Sequence, residues 1–474
     1  MNVIQSQSRW RSLLIRLLTS LLALTLLTGP TALLNAAELP RLKVSENHRY
    51  LQTENGKPFF WLGDTAWELF HRLDREEAEF YLKKRAAQGY TMVQAVALAE
   101  FDGLKEKNPY GEVPLINNDP SQPNEAYFKH VDFIVDKANE LGINIGFLPT
   151  WGDKLFKSTW GKGPEIFNIE NAKVYGKWLG ERYKNRKNII WILGGDRQPR
   201  KDSKDVEVWR SMAAGIEEGV GGKDKAMITF HPQPNQEGAS EWFHSDEWFD
   251  FNMFQTGHCR DNNVFDKIKG SYDRILVKPV LDGEPIYEDH PVCFNANDLG
   301  TSSAYDVRKS AYLNLFAGAF GHTYGCHDIW QMYSTKREAV NAPHIFWQQA
   351  LDLPGANQMK YVRRLIESRP FLDRVPDQSL IIENNLSPYE RIQATKGTDY
   401  AFVYSTLGKP FNVNMGKISG SQVVGFWFNP RNGEVKEIGV IENKGIKQFS
   451  PPTTGYGLDW VLILDDLNKK FPKP

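Results

Sequence analysis

Short apolar segments alternate with amphipathic ones through most of this 474-residue chain, and this alternation constrains the fold most strongly. The units recur at a spacing of about 40 residues, as repeated βα units do. Eight segments qualify as strands: Phe59–Gly63, Met92–Leu98, Ile143–Leu148, Ile189–Leu193, Ala226–Phe230, Phe251–Gln255, Ile275–Leu281 and Ala317–Thr323. Because eight units close a barrel more naturally than they build an open sheet, the sequence predicts an α/β protein with a (β/α)8 TIM barrel.

Helix start and stop signals lie between these segments. Asp74 with Glu77 three residues later forms a capping box, and Gly89 follows the last periodic residue of that helix. Asn124 and Gly142 bracket the next helix in the same way. Each predicted helix therefore lies between two predicted strands, as a barrel requires.

The pattern changes after Pro370. Short alternating segments follow, separated by turn signals such as Asn432-Gly433 and Pro451-Pro452. This pattern predicts a small all-β domain, a β-sandwich, with a structural role. We expect the barrel to occupy residues 38–370 and the sandwich residues 371–474.

The N-terminus has the pattern of an export signal. Arginines precede a Leu-rich run from Leu17 to Leu34, and the small residues Ala36 and Ala37 follow it. This predicts a signal peptide over residues 1–37 and an exported protein, periplasmic or extracellular. An uncleaved membrane anchor is the alternative, because the apolar run is nearly long enough to span a bilayer.

The three cysteines, Cys259, Cys293 and Cys326, are too few and too widely spaced to form a disulfide framework. An exported protein could still hold one bond between two of them. A cysteine nucleophile is conceivable from the residue type alone, but no local sequence pattern supports it.

Charge and aromatic content restrict the partners. The 57 basic and 58 acidic residues nearly cancel, so we expect no nucleic-acid partner and no membrane contact beyond the export signal. The 14 Trp, 18 Tyr and 27 Phe residues exceed what an ordinary core requires. Most of these rings belong to the core, but exposed aromatic faces suit the apolar faces of sugars.

Polar and aromatic residues lie within, at the end of or just after every predicted strand, and a barrel carries its functional groups at the carboxyl ends of its strands. In strand order they are Asp64 and Trp67, Gln94, Trp151, Asp196, His231, His258, Glu284, and finally His322 and Tyr324. Together they predict a concave polar pocket. We expect the polar members to hydrogen-bond sugar hydroxyls and the tryptophans to stack on the sugar.

Two of these residues, Asp196 and Glu284, are carboxylates that follow a glycine after a long apolar run. Cleaving a glycosidic bond with retention requires a carboxylate nucleophile and a carboxylic acid that protonates the leaving oxygen. The acid, Asp196, needs a raised pKa, which Trp151 and Trp191 assist if they border it. Arg197 would oppose that rise, so we expect it to point away.

Structural alternatives exist for several of these residues. Asp196 could instead cap the following helix, Glu284 could pair with a loop arginine, and Asp64 could cap the helix that begins near Thr65. His322, together with His327 and Asp328, could be interpreted as metal ligands. Their spacing fits no zinc signature, so the sequence predicts neither metal nor cofactor.

Four motifs together resemble glycoside hydrolase family 140: the run Gly63-Asp64-Thr65-Ala66-Trp67, the strand ends Gly195-Asp196 and Glu284-Pro285, and the segment from Trp427 to Gly433. The resemblance implies a clan-A barrel joined to a β-sandwich that is labelled collagen-binding, and removal of apiose from the pectic polysaccharide rhamnogalacturonan II. It also implies that Asp196 is the acid/base and Glu284 the nucleophile. The wider clan has Asn-Glu where this chain has Gly-Asp.

These patterns lead to one functional expectation and one alternative. We expect a monomeric, exo-acting retaining glycosidase, similar to an apiosidase, that releases a terminal pentose from pectic oligosaccharides. The alternative is a non-catalytic surface protein that binds carbohydrate or collagen and uses the barrel and sandwich as a scaffold.

Overall fold

The computed structural model describes residues 38–158, 160–383 and 386–474. The predicted signal peptide, residues 1–37, lies outside this part of the chain. Within it, no helix combines the length and apolar character needed to cross a membrane. Residues Glu38–Pro474 form one unit.

Eleven strands precede the C-terminal region. Strands β1 to β3 form a small antiparallel sheet: Leu42–Val44, Leu51–Thr53 and Pro58–Phe59. Strands β4 to β11 are parallel to their sheet neighbours: Trp61–Thr65, Met92–Leu98, Asn144–Thr150, Ile189–Gly194, Ile228–His231, Asn252–Gln255, Val280–Glu284 and Gly321–Tyr324. Each of these eight overlaps one of the predicted strands.

The parallel strands fall into two hydrogen-bonded groups. Six form a curled sheet in the order β11-β4-β5-β6-β7-β8, and β9 pairs with β10. Single backbone bonds connect the groups at both sides: Asp250 N donates to Ile228 O at 2.9 Å, and Phe320 N donates to Val280 O at 3.0 Å. The carboxyl ends of these strands therefore meet on one side of the molecule.

Helices connect the strands, as the alternation predicts. Helices α1 to α12 are Leu69–Arg72, Arg75–Ala87, Glu125–Glu140, Ile169–Tyr183, Asp205–Val220, Ser240–Phe243, Val264–Tyr272, Ala296–Leu299, Ala304–Phe316, His327–Trp330, Trp347–Ala350 and Pro354–Glu367. The predicted capping box is present at α2, where Glu77 N donates to Asp74 Oδ1 at 2.8 Å and Asp74 N donates to Glu77 Oε2 at 3.2 Å. Asn124 caps α3 by accepting from Ala126 N.

The C-terminal region is an antiparallel sheet domain. Its strands β12 to β19 are Val375–Pro376, Ile392–Lys396, Tyr400–Ser405, Phe411–Asn414, Gln422–Phe428, Val435–Glu442, Ile446–Phe449 and Trp460–Asp466. Six form a sheet in the order β12-β13-β14-β19-β16-β17, and β15 pairs with β18. Successive side chains of a strand point to opposite faces, so each central strand can serve two cores.

Strands β14 and β19 use this alternation. Phe402 and Tyr404 of β14 join the large core shared with the parallel sheet, whereas Val403 between them joins the smaller core of the C-terminal domain. Tyr404 stacks on Tyr312 of α9 with ring centroids 4.9 Å apart. The parallel-sheet region and the C-terminal domain are therefore packed together through buried aromatic rings.

Buried ion pairs reinforce this packing. Arg308 of α9 lies 2.8 Å from Asp459 Oδ2, and the side chain of Asp459 also accepts from Tyr404. Arg369 lies 2.7 Å from Asp465 of β19. Since both arginines and both aspartates are buried, each pair depends on its partner across the boundary.

Candidate active site

A cavity of about 490 Å³ opens at the carboxyl ends of the parallel strands. Both predicted catalytic carboxylates, Asp196 and Glu284, line it, among several aromatic rings. A larger polar groove, of about 860 Å³, lies between loop residues such as Glu237 and Arg274 and contains none of the predicted site residues. The chemistry is therefore sought in the smaller, aromatic cavity.

Glu284 is the last residue of β10 and is held by two histidines. Gly283 before it lets β10 approach β9, because a Cβ there would come within 2.7 Å of Met253 Sδ. His231 Nε2 lies 3.0 Å from Glu284 Oε2, and His258 Nε2 lies 3.3 Å from Oε1. Burial alone would raise the pKa of Glu284, but the two histidines outweigh it and hold the pKa well below its usual range. Glu284 is thus a carboxylate at neutral pH.

Asp196 follows β7 on an unusual backbone. Gly194, Gly195 and Asp196 have φ values of 85°, 114° and 52°, which is the left-handed region that favours glycine. A Cβ on Gly195 would lie 2.8 Å from Gly152 N, so glycine is required there. A non-glycine residue in this region costs about 1–3 kcal/mol and persists chiefly where function requires it.

The environment of Asp196 raises its pKa. Burial and the negative charge of Glu284 raise the pKa of Asp196 to about 6, and Arg197 and His231 oppose that rise. Two carboxyl groups in one cavity thus have pKa values displaced in opposite directions, the arrangement that divides acid from nucleophile.

His231 connects the two carboxylates. Its Nδ1 accepts a hydrogen bond from Asp196 N at 3.4 Å, which assigns the ring proton to Nε2, the atom that faces Glu284. The ring is fully buried and packs edge-on against Trp67, with centroids 5.3 Å apart. His231 therefore sits behind Glu284 rather than on the cavity surface.

One expectation about the surroundings of Asp196 is wrong. Arg197 does not point away: its Nη1 donates to Asp196 O at 2.6 Å and lies 3.4 Å from Asp196 Oδ2. The guanidinium is buried, so its N–H groups donate to nearby backbone oxygens, including Phe156 O. Trp191 packs between helix and sheet against Phe147, while Trp151 does line the cavity.

Three of the predicted sugar-binding residues line the cavity: Trp67, Trp151 and His258. The rings of Trp67 and Trp151 lie 5.2 Å apart, tilted by 56°, and form one wall. An aromatic wall of this kind can stack on the apolar face of a sugar ring.

Four other predicted sugar contacts are corrected, because their side chains are fully buried and do not line the cavity. Asp64 accepts from Arg85 Nε at 2.6 Å, and it neither faces the cavity nor caps a helix. Gln94 donates to Gly283 O at 2.9 Å, and Tyr324 donates to Glu288 Oε2 at 2.6 Å. His322 lies in the interior. Inward positions at the lower levels of such strands fill the core instead of reaching ligand.

The structure also contradicts the alternative roles that the sequence left open for Asp196 and Glu284. Helix α5 begins at Asp205, so Asp196 caps no helix, and the partners of Glu284 are histidines instead of a loop arginine. Two of the three residues considered as metal ligands have separate protein partners: His327 Nε2 contacts Asn341 O, and Asp328 accepts from His344 N. In the described ranges no group of three or more His, Cys, Asp or Glu side chains could hold a metal ion.

Sequence reasoning missed several cavity residues, chiefly Glu100, Phe101, Trp160 and Trp330. Glu100 follows β5 by two positions, so the same strand-end rule could have found it. Trp160 lies in the long loop after β6, where no periodic signal marks a functional position.

One disulfide joins two loops of the site. Cys259 and Cys293 are bonded, with Cα atoms 4.7 Å apart, and Cys293 N donates to His258 O at 2.9 Å. Cys326 is free and buried. The loop that carries His258 is therefore tied to the loop that follows Glu284.

Two carboxyl groups whose pKa values are displaced in opposite directions, facing one aromatic cavity at the ends of parallel strands, are an arrangement typical of a glycoside hydrolase. Comparison with known families agrees. Residues 45–373 match the model described as "Apiosidase-like, catalytic domain", and the chain belongs to that family. Residues 375–465 match a model described as "Putative collagen-binding domain of a collagenase".

Solved structures give the same class. A protein described as a glycoside hydrolase is similar over 91% of this chain and 98% of its own, with 37% sequence identity and a TM-score of 0.83. A glycoside hydrolase family 5 protein from Bacteroides vulgatus has the same identity and TM-score over 91% of this chain and 95% of its own. A search of curated sequences gives no match. The protein is a glycosidase.

Proposed function

We propose that this protein is a retaining, exo-acting glycoside hydrolase of family 140 that releases a terminal pentose, such as apiose, from pectic rhamnogalacturonan II oligosaccharides. One observation carries the proposal: Glu284, ionised between two histidines, shares a cavity with Asp196, whose pKa is raised to about 6. The small size and aromatic lining of the cavity favour a terminal sugar over a long chain. We also propose that the eight parallel strands close into a (β/α)8 barrel.

The chemistry follows from the two carboxyl groups. Asp196 gives its proton to the glycosidic oxygen while a Glu284 oxygen attacks the anomeric carbon, so the bond to the leaving group breaks as a glycosyl ester forms. Asp196, now ionised, takes a proton from water, and the resulting hydroxide attacks the anomeric carbon and releases Glu284. Two inversions give net retention. His231 and His258 keep Glu284 ionised and oriented for the attack.

The test is hydrolysis of a panel of aryl glycosides and pectic oligosaccharides by the wild type, Glu284→Gln and Asp196→Asn. Glu284→Gln should lose about a thousandfold or more in kcat, because it removes the nucleophile. Glu247→Gln is the matched control, since its side chain is 88% exposed. Near-wild-type hydrolysis by Glu284→Gln would overturn the assignment.

We further propose export, with residues 1–37 as the signal peptide, a monomeric protein, and a structural role for residues 371–474. The Cys259–Cys293 bond supports an oxidising compartment. Membership of a glycosidase family favours an enzyme over the non-catalytic binding protein considered as the alternative.

A further inference from the structure

A third carboxyl group, Glu100, lines the cavity together with Asp196 and Glu284. It follows β5 and has no part in the two-carboxylate mechanism. Its backbone oxygen accepts from Gly103 N, but its carboxyl group makes no hydrogen bond or ion pair within the described part of the chain. A polar group placed in this way in a small cavity is available to a ligand.

The charges around Glu100 affect the protonation state of its carboxyl group. Asp196, Glu68 and Asp153 face it from the segments after β7, before α1 and after β6, and Arg197 is the opposing cation. Two of these acids are already paired, Glu68 with His71 and Asp153 with Lys154. Burial and the remaining negative charge raise the pKa of Glu100 well above its usual range. A protonated carboxyl group can both donate and accept a hydrogen bond.

An aromatic surface lies beside this group. The ring of the next residue, Phe101, lies 5.5 Å from that of Trp330 at an interplanar angle of 33°, and both line the cavity. Phe101 has a φ of 37°, a left-handed conformation that a bulky residue adopts only when its surroundings impose it. A hydrogen-bonding carboxyl group next to an aromatic face is a typical sugar subsite.

We propose that Glu100 is a further substrate-binding residue, which hydrogen-bonds a hydroxyl of an uncharged sugar lying on Phe101 and Trp330. The inference rests on the proposed function and names a residue that would hold its sugar. The cavity lining, all of it within the described ranges, has three carboxyl groups and neither lysine nor arginine. A uronic acid would bring an unpaired anion among them, at a large desolvation cost. The uronates of a pectic chain therefore stay outside, and the cavity receives a neutral terminal sugar.

Steady-state kinetics of Glu100→Gln and Glu100→Ala on the best substrate of the panel test the contact. The Gln variant keeps a donor and an acceptor, so its KM should stay within about threefold of wild type. The Ala variant should raise KM about tenfold or more, because one hydrogen bond is lost, with little change in kcat. An unchanged KM for Glu100→Ala would overturn the proposal. A hundredfold loss of kcat in Glu100→Gln would also overturn it, since Glu100 would then be the proton donor.

Calorimetric titration with D-xylose, L-arabinose and D-galacturonate separates this inference from the proposed function, because it needs no turnover. At least one neutral pentose should bind the wild type about tenfold or more tightly than galacturonate, and Glu100→Ala should weaken that binding. If this binding were observed without hydrolysis of any substrate, Glu100 would be supported as a sugar-binding residue and the proposed pectic activity would be wrong. Galacturonate binding as tight as pentose binding, or no binding of either, would overturn the inference. Matching melting temperatures of the variants exclude misfolding.

Discussion

Asp196 and Glu284 have the same functional group, and their surroundings displace their pKa values in opposite directions. Two histidine rings face Glu284 and stabilise its anion, whereas Asp196 is mostly buried and faces the negative charge of Glu284. His231 contacts both residues, because its Nδ1 accepts a hydrogen bond from Asp196 N and its Nε2 faces Glu284. The opposite displacements of the two pKa values thus come from the groups around each carboxyl group rather than from the strand ends themselves.

The pH dependence of activity follows from these pKa displacements. The acid must be protonated, and the pKa of Asp196 is raised to about 6, so kcat/KM should fall as the pH rises through 6. The pKa of Glu284 lies well below its usual range, so little activity is lost between pH 6 and 4.

A pH profile of kcat/KM on an aryl glycoside checks this prediction. Asp196→Asn, assayed on a substrate whose leaving group needs no proton, should lose the limb near pH 6. Activity that rises between pH 6 and 8 would contradict the assignment of Asp196 as the acid.

At the scale of elements, the alternation of apolar segments was enough to locate all eight parallel strands, because each strand is buried on both faces and reads as a continuous apolar run. Strand ends then led to Asp196, Glu284, His231 and His258. The same rule was wrong for Asp64, because a strand end does not specify which way a side chain points. Asp64 is directed at Arg85 of α2, a contact that depends on how helix and sheet are packed.

Cavity residues outside the strands could not be predicted for a related reason. Trp160 lies in a loop, and Trp330 ends the four-residue helix α10, which is too short for a period of 3.6 residues to orient its side chains. The disulfide could be predicted only in part. Three cysteines permit one bond, but the pairing of Cys259 with Cys293 depends on how the loops after β9 and β10 are arranged.

The disulfide should stabilise these two loops. Its residues are 34 apart in the sequence, and closing a loop of that length corresponds to about 3–4 kcal/mol in the chain-entropy account. The double variant Cys259→Ser/Cys293→Ser should therefore lose roughly that much unfolding free energy in urea titration. Wild type treated with reductant serves as the matched control and should give the same midpoint. If both kept the midpoint of the oxidised protein, the bond would have no stabilising role.

At the scale of the whole molecule, the C-terminal domain completes the core of the parallel-sheet region. Phe402 and Tyr404 bury their rings against α9. Arg308 and Arg369 form ion pairs with carboxylates of the C-terminal domain. The two parts should therefore unfold in a single transition, because separating them exposes apolar rings and unpairs buried charges.

Asp459→Ala tests this coupling. It leaves Arg308 buried without its charge partner, which should cost about 3–5 kcal/mol and lower the midpoint of one common transition. Glu442→Ala, whose side chain is 68% exposed, is the control and should change little. Calorimetry that resolved two transitions, with only the weaker one moved by Asp459→Ala, would show that the two parts fold independently.

The central claim is that Glu284 forms a covalent bond to the sugar, and trapping that bond tests it most directly. The protein is mixed with an activated 2-fluoro aryl glycoside of the sugar that it hydrolyses, quenched, digested and analysed by peptide mass spectrometry. We predict a mass increase of one fluoroglycosyl group on the peptide that contains Glu284, with fragment ions that locate it on that side chain. A label on Asp196 or Glu100, or turnover with an inverted product and no label, would contradict the account.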